Sequence, residues 1–306
     1  MKTLGIKPPL RPSKCPACKL DFEVSLPFCR QCGLDLDYGT PTRVANGQCI
    51  YCGTDCRFSR EHVYGKWIKG RFGSRFTSVT HTLSRPELFV DVWTPTAIHT
   101  RSERHPGGLY DQVVLNVCEG CNNGWMSQLH VAASPLVTEL ATATWRIFSP
   151  EDLKLLTRWI AMVTINLQCR ARQLTSTEHQ RRQLFDGDVP SGWRVYAGTM
   201  LDDRHGGKHF NRAMATAIEM GDGAFLPLTS CYFVIERAAF FSFSSIGDFT
   251  LEAALMSSGA NGRDMPLRQL HPSVSDTEGT SWMFLSLEQL DAIQAWFGAV
   301  DPLPSQ

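Results

Sequence analysis

Four Cys-x2-Cys pairs constrain this chain more than any other feature. Eight of its 11 cysteines stand in them, at Cys15/Cys18, Cys29/Cys32, Cys49/Cys52 and Cys118/Cys121, and nine of the 11 precede residue 122. Each pair is a knuckle that turns two thiols toward one point, and two knuckles complete a tetrahedral sulfur shell for zinc. The compartment decides between that reading and disulfides. Met1-Lys2-Thr3 is followed by prolines rather than an apolar run, so no secretory leader is expected. The longest apolar stretch, Trp159 to Leu167, is broken by Thr164 and Asn166, so no membrane span is expected. The expectation is a cytoplasmic protein in a reducing compartment, where paired cysteines are metal ligands.

The four pairs sort into two sites. Cys15/Cys18 and Cys29/Cys32 enclose ten residues and are similar to a short zinc ribbon, a unit too small to build a core without its metal. Such a ribbon binds nucleic acid, binds protein or only braces a fold. Cys49/Cys52 and Cys118/Cys121 enclose 65 residues, so a second zinc would clamp the two ends of a long region. Pairing Cys29/Cys32 with Cys49/Cys52 is an alternative; local pairing is simpler. Cys56 is near enough to compete with Cys52, but reads better as a free buried thiol.

Composition fits a folded protein: 43% apolar and 20% charged residues exclude a disordered chain, a collagen and a coiled coil. The formal net charge is zero, but it is unevenly spread. Residues 1–146 carry 17 basic and 12 acidic residues, a net of +5, and residues 147–306 carry the compensating −5. The chain divides into a basic, proline-rich tail (1–14), the ribbon (15–38), a loop-rich segment with short strand-like runs (48–130) and a C-terminal part (131–306). After Trp125 the pattern changes, and Met126 to Thr144 reads as a helix disturbed at Pro135. Ser149-Pro150-Glu151-Asp152 is a helix start, with Leu153, Leu156, Ile160 and Val163 at helical spacing. Another helix starts at Thr175 to Thr177, and a last one runs from Ser286 to Phe297. Strand-like runs cover Trp193 to Ala197, Phe225 to Leu228, Cys231 to Ile235 and Phe240 to Phe243. The fold class expected is α+β throughout.

The residues beside the second pair of knuckles carry chemistry. Glu61-His62 lies between them and Asn122 follows the last cysteine. Glu61 and Asn122 supply oxygen, the ligand atom preferred by Mg²⁺ or Mn²⁺. His62 supplies an imidazole that takes a proton near neutral pH. A hard cation beside a general base is what phosphodiester hydrolysis requires.

CIYC at 49–52, SREHVYGKWI at 59–68 and VCEGCNNGWMSQL at 117–129 resemble the HNH (ββα-metal) endonucleases whose fold is held by two CxxC knuckles. More closely, they are similar to a bacterial HNH family with EHV-x-x-x-W followed by VC-x-x-CNNGWM-x-x-L. The resemblance covers residues 48–130 and implies a ββα-metal core. It implies that His62 is the general base, that Glu61 and Asn122 hold a catalytic Mg²⁺ or Mn²⁺, and that Cys49, Cys52, Cys118 and Cys121 hold structural zinc. Glu61 departs from the Asp common at its position. The central Asn of such sites has no clear counterpart; Asn116 is the nearest, at a shorter spacing to Cys118 than usual, and Asn123 could help place metal or phosphate. Phage defence or mobile-element biology follows by analogy alone.

Arg60, Lys66, Lys69, Arg71 and Arg75 stand against the one acid Glu61, a net of +4 in 16 residues, interleaved with Trp67 and Phe72. Cations neutralise phosphates and aromatics stack on bases, so a nucleic acid, DNA first, is the expected partner. A solvated helix face with a buried Trp67 explains the aromatics equally well. His81, His99, His105, His130, His205, His209 and His271 lack such a setting and read as ordinary surface or core residues, although His99 and His105 near Arg101 and Arg104 could touch substrate. Gly206-Gly207-Lys208 lacks the rest of a phosphate-binding loop. The acidic C-terminal part could bind a protein partner, self-associate or restrain the rest. The rival readings are a non-catalytic zinc module that binds nucleic acid or protein, and an RNase.

Overall fold

The computed structural model describes residues 46–73, 78–86, 98–106, 109–144, 147–170, 174–201, 208–220, 224–249, 251, 267–272, 284–286 and 288–289. For 78–86, 98–106, 109, 208–220, 224–228 and 284–285 it describes the backbone alone. The tail, the ribbon with Cys15, Cys18, Cys29 and Cys32, Arg75 and most of the helix expected after Ser286 lie outside the described residues.

The chain is mixed α and β, with antiparallel sheets. Strands β1 (Asn46–Gln48), β2 (Asp55–His62) and β5 (Val113–Cys118) form one sheet in the order β1-β2-β5. Helix α1 (Lys66–Phe72) follows β2, and β3 (Ser78–Pro86) pairs with β4 (Ile98–Pro106) in a two-stranded ribbon. From Cys118 the chain enters a helical run: α2 (Glu119–Cys121), a π-turn (Asn122–Met126) and α3 (Ser127–Ala141). Pro135 lies inside α3 without ending it. Its ring removes the amide that Val131's carbonyl would meet, and Val131 is exposed, so water can serve that carbonyl.

Local chemistry sets the next two helices. Before α4 (Pro150–Arg170), the Asp152 amide donates to Ser149 Oγ (3.1 Å), and Asp152 Oδ2 accepts from the Ser149 amide (3.0 Å). Before α5 (Glu178–Asp186), Thr177 and Gln180 make the same reciprocal cap. The remaining strands β6 (Trp193–Met200), β7 (Lys208–Met220), β8 (Ala224–Ile235), β9 (Ala238–Ser244), β10 (Arg268–His271) and β11 (Phe284–Leu285) build a six-stranded sheet. Its order is β10-β6-β9-β8-β7, with β11 joining β6 in parallel.

Helix α4 is the centre of the molecule. Its apolar spacing predicts one buried face, yet Leu156, Thr157 and every residue from Trp159 to Cys169 are buried, so it is covered on all sides. It touches β5 of the small sheet, β6 and β9 of the large one, and helices α3 and α5. Three of its buried polar side chains have partners: Tyr51 donates its hydroxyl to Asn166 Oδ1 (3.0 Å), Thr164 shares a bond with Ser242 (3.1 Å) and Gln168 accepts from the Ser176 amide (3.2 Å). One apolar core runs from Cys49 in the first knuckle through Trp159 to Leu270. Among the described residues no helix is long and apolar enough to cross a membrane.

Candidate metal centre and the adjoining site

The knuckles sit at one end of the small sheet. The first is the turn between β1 and β2, where the Gly53 amide bonds the Cys49 carbonyl (2.9 Å) with Gly53 at φ +73°. The second is the turn from β5 into α2, where the Cys121 amide donates to Cys118 Sγ (3.3 Å). Strand pairing of β2 with β5 brings the two together, and the Cys118 amide donates to Cys49 Sγ (3.4 Å).

The four sulfurs lie within 4.8 Å of one another. Cys49 and Cys121 are 3.8 Å apart and Cys52 and Cys118 3.6 Å. A tetrahedron of thiolates about 2.3 Å from zinc has edges of about 3.8 Å. The donor set therefore fits a metal such as zinc, and none of these cysteines is in a disulfide. The hydrogen bond with Cys121, together with donation from nearby backbone amides, outweighs burial and holds the Cys49 thiol down to about 4; a thiolate is the ligand form. Cys56 is free, as expected, but half-buried rather than buried; it adjoins the four sulfurs without belonging to the set, and burial, then the neighbouring cysteines, push it up to about 11.

The other candidate residues lie along β2. Phe58 pairs with Cys118, and Glu61 is three residues further on, about 10 Å along a strand. Asn122 bridges that gap. Its amide nitrogen donates to Ser59 Oγ (2.9 Å) and to the Arg60 carbonyl (3.3 Å), and Ser59 Oγ in turn donates to the Val117 carbonyl (3.0 Å). With its N–H groups held against β2, the side chain has its carbonyl oxygen left to offer.

Glu61 is 4% exposed and His130, on α3, is 6% exposed. Glu61 Oε1 lies 3.2 Å from His130 Nε2, and the indole N–H of Trp159 on α4 donates to His130 Nδ1 (3.0 Å). Among the described residues no Lys or Arg pairs with Glu61.

His62 is half-buried at the end of β2. Burial first, then Lys66 and Arg60, hold its imidazole below the ordinary histidine range. No described residue hydrogen-bonds its ring. Asn116 is not brought to it: the Asn116 side chain bonds Cys169 on α4, while its carbonyl accepts from the Ile50 amide (3.1 Å). Asn123 is exposed and donates to Glu119 (3.3 Å). Of the basic residues, Arg60, Lys66 and Arg71 are exposed, and Lys69 is paired with Asp111 in the turn before β5.

From the sequence, His130 reads as an ordinary surface or core residue and Trp159 only as part of an apolar stretch. Searches against protein-family models, curated proteins and solved structures found no match for this chain.

Proposed function

We propose that the chain is a metal-dependent endonuclease of HNH type that hydrolyses phosphodiester bonds in nucleic acid, with DNA the first candidate. The observation that carries this reading is Asn122. Its amide is pinned to β2 next to Glu61-His62 by the same knuckle that closes the four-cysteine centre. In this reading the zinc is structural, and Glu61 and Asn122 hold a Mg²⁺-class ion that supplies positive charge against the phosphate and the leaving oxygen.

The protein's own groups do the rest. His62, kept neutral at physiological pH by burial and by Lys66 and Arg60, accepts a proton from water at an imidazole nitrogen. Lys66 and Arg60 flank it and meet phosphate oxygens, which favours a polyanion over a neutral substrate. Ser59 and the Arg60 carbonyl hold the Asn122 amide so that its oxygen need not reorient during the reaction.

One observation favours the rival reading, a non-catalytic zinc module. Glu61 is as buried as a core residue, and a Glu61–His130–Trp159 chain can serve as a polar strut. The two readings separate in a nuclease assay of the full chain on plasmid, linear DNA and RNA, with and without Mg²⁺. Cleavage that needs Mg²⁺ and is lost in His62→Ala supports the enzyme, and the substrate cut decides between DNase and RNase. Cleavage surviving His62→Ala sinks the mechanism. Intact DNA binding with no cleavage of any substrate selects the binding module.

A further inference from the structure

We infer that His130 is a positioning residue whose Nε2–H holds the Glu61 carboxylate, with Trp159 fixing its tautomer and Gly65 making room for its ring, so that the carboxylate is presented to a divalent ion. The inference rests on the reading of Glu61 as a ligand of that ion.

A Trp N–H can only donate, so the His130 nitrogen it meets, Nδ1, carries a lone pair and no proton. The proton of the neutral ring is then on Nε2, which faces Glu61 Oε1. Glu61 is the acceptor. Two alternatives fall on the same geometry. An imidazolium would set N–H against N–H at Trp159. A metal on Nε2 would require a ring with no proton at all, so His130 is not itself a ligand.

The ring is also confined. Gly65, at φ +81°, lies against it, and a β-carbon there would stand 2.7 Å from Nδ1 and 3.0 Å from Cγ and Cε1. Trp159 is fully buried and meets the imidazole edge-on, with ring centroids 6.5 Å apart. Three elements thus converge on one imidazole: the turn after β2, helix α3 and helix α4. The result is a buried carboxyl group held by one N–H donor, with no Lys or Arg paired to it among the described residues. Burying a lone charge is costly, and a divalent ion on the free carboxylate oxygen offsets that cost. Groups that orient a metal-binding side chain typically matter 10–100-fold in metal affinity.

The test is Mn²⁺ binding to the zinc-loaded full chain, followed by calorimetry and by electron paramagnetic resonance. Glu61→Gln should abolish high-affinity binding. His130→Ala should weaken it by about 10–100-fold, and His130→Gln, which keeps an N–H at the Nε2 position, should recover most of the loss. Trp159→Phe, which frees the tautomer, should fall between. If wild type binds Mn²⁺ and Glu61→Gln abolishes binding but His130→Ala leaves it unchanged, the positioning role is wrong and the metal reading stands. If wild type binds no Mn²⁺, both fall together. A nitrogen coupling to bound Mn²⁺ that disappears in His130→Gln would make His130 a ligand and overturn the inference. Because His130→Ala could fail to fold, imidazole ¹⁵N spectra of the wild-type chain supply a check without substitution. They should show His130 as the Nε2–H tautomer; the Nδ1–H form would refute the geometry.

Discussion

Gly65→Ala puts the His130 arrangement under direct load. Two costs are expected. Gly65 has φ +81° and ψ 140°, in territory that is essentially glycine's, and forcing another residue there costs about 1–3 kcal/mol. The new methyl stands 2.7 Å from His130 Nδ1, and overpacking of this kind costs about 1–3 kcal/mol. Together they give about 2–6 kcal/mol. A chain of 306 residues at about 2.1 cal/mol/K per residue has an unfolding entropy of about 0.64 kcal/mol/K. The melting midpoint should therefore fall by about 3–9 °C. The diagnostic measurement is the double variant with His130→Ala. Removing the ring removes the collision but not the backbone cost, so the pair should be less destabilising than the sum by about 1–3 kcal/mol. Denaturant titration of the four zinc-loaded proteins supplies the cycle. Additivity within about 0.5 kcal/mol would mean that Gly65 and His130 do not meet as described.

Removing the metal should unfold more than the knuckles. Arg181 Nε and Arg182 Nη1 on α5 donate to the Ile50 and Cys52 carbonyls of the first knuckle (2.7 and 2.9 Å), so chelation or Cys49→Ser should speed amide exchange in α5 as well as around Cys118. Metal analysis should return about two zincs per chain, one for each four-thiolate set; one would leave the ribbon assignment without support. Arg60→Ala and Lys66→Ala should each lower the salt slope of DNA binding by about 0.9, the share of one phosphate. Lys69→Ala, already paired with Asp111, should change it less, as anisotropy titrations at several salt concentrations would show. Burial, partly offset by Asp248, keeps His271 below the ordinary histidine range. The unfolded chain therefore takes up that proton before the folded one as pH falls. Its contribution to stability is complete above about pH 6.5 and declines below it, and His271→Gln should flatten that decline in denaturation midpoints.

What could be read from the sequence was what short spacing encodes. The second pair of knuckles is legible because a Cys-x2-Cys turn has few other uses, and the structure brings its four sulfurs together. The caps at Ser149 and Thr177 are legible because a cap is made within four residues. The Glu61–His130–Trp159 chain is not local: 69 residues separate the first two and 29 the last, and only tertiary packing joins them. Helix α4 misled in a different way. Leu153, Leu156, Ile160 and Val163 look like one apolar stripe because Thr157, Thr164, Asn166 and Gln168 look solvated. The burial of Thr164, Asn166 and Gln168 depends on the partners Ser242, Tyr51 and Ser176, none of which α4 itself specifies. The β3–β4 ribbon, nine residues paired with nine, passed for loop because SVTHTLSRP has little apolar alternation.

The gripping of the first knuckle by α5 bears on portability. Residues 48–130 hold all four sulfur ligands of the described centre together with Glu61, His62 and Asn122, and would look like a transferable cassette. Yet Trp125 lies edge-on between Tyr51 and Phe185 (5.1 and 6.3 Å), Tyr51 leans on Asn166, and His130 takes its tautomer from Trp159. A fragment cut after residue 130 would carry every ligand and lose the wall they are set in. The later half of this chain is thus no passenger that recombination could exchange freely; whatever else it does, it is part of the mould in which the earlier half takes its shape.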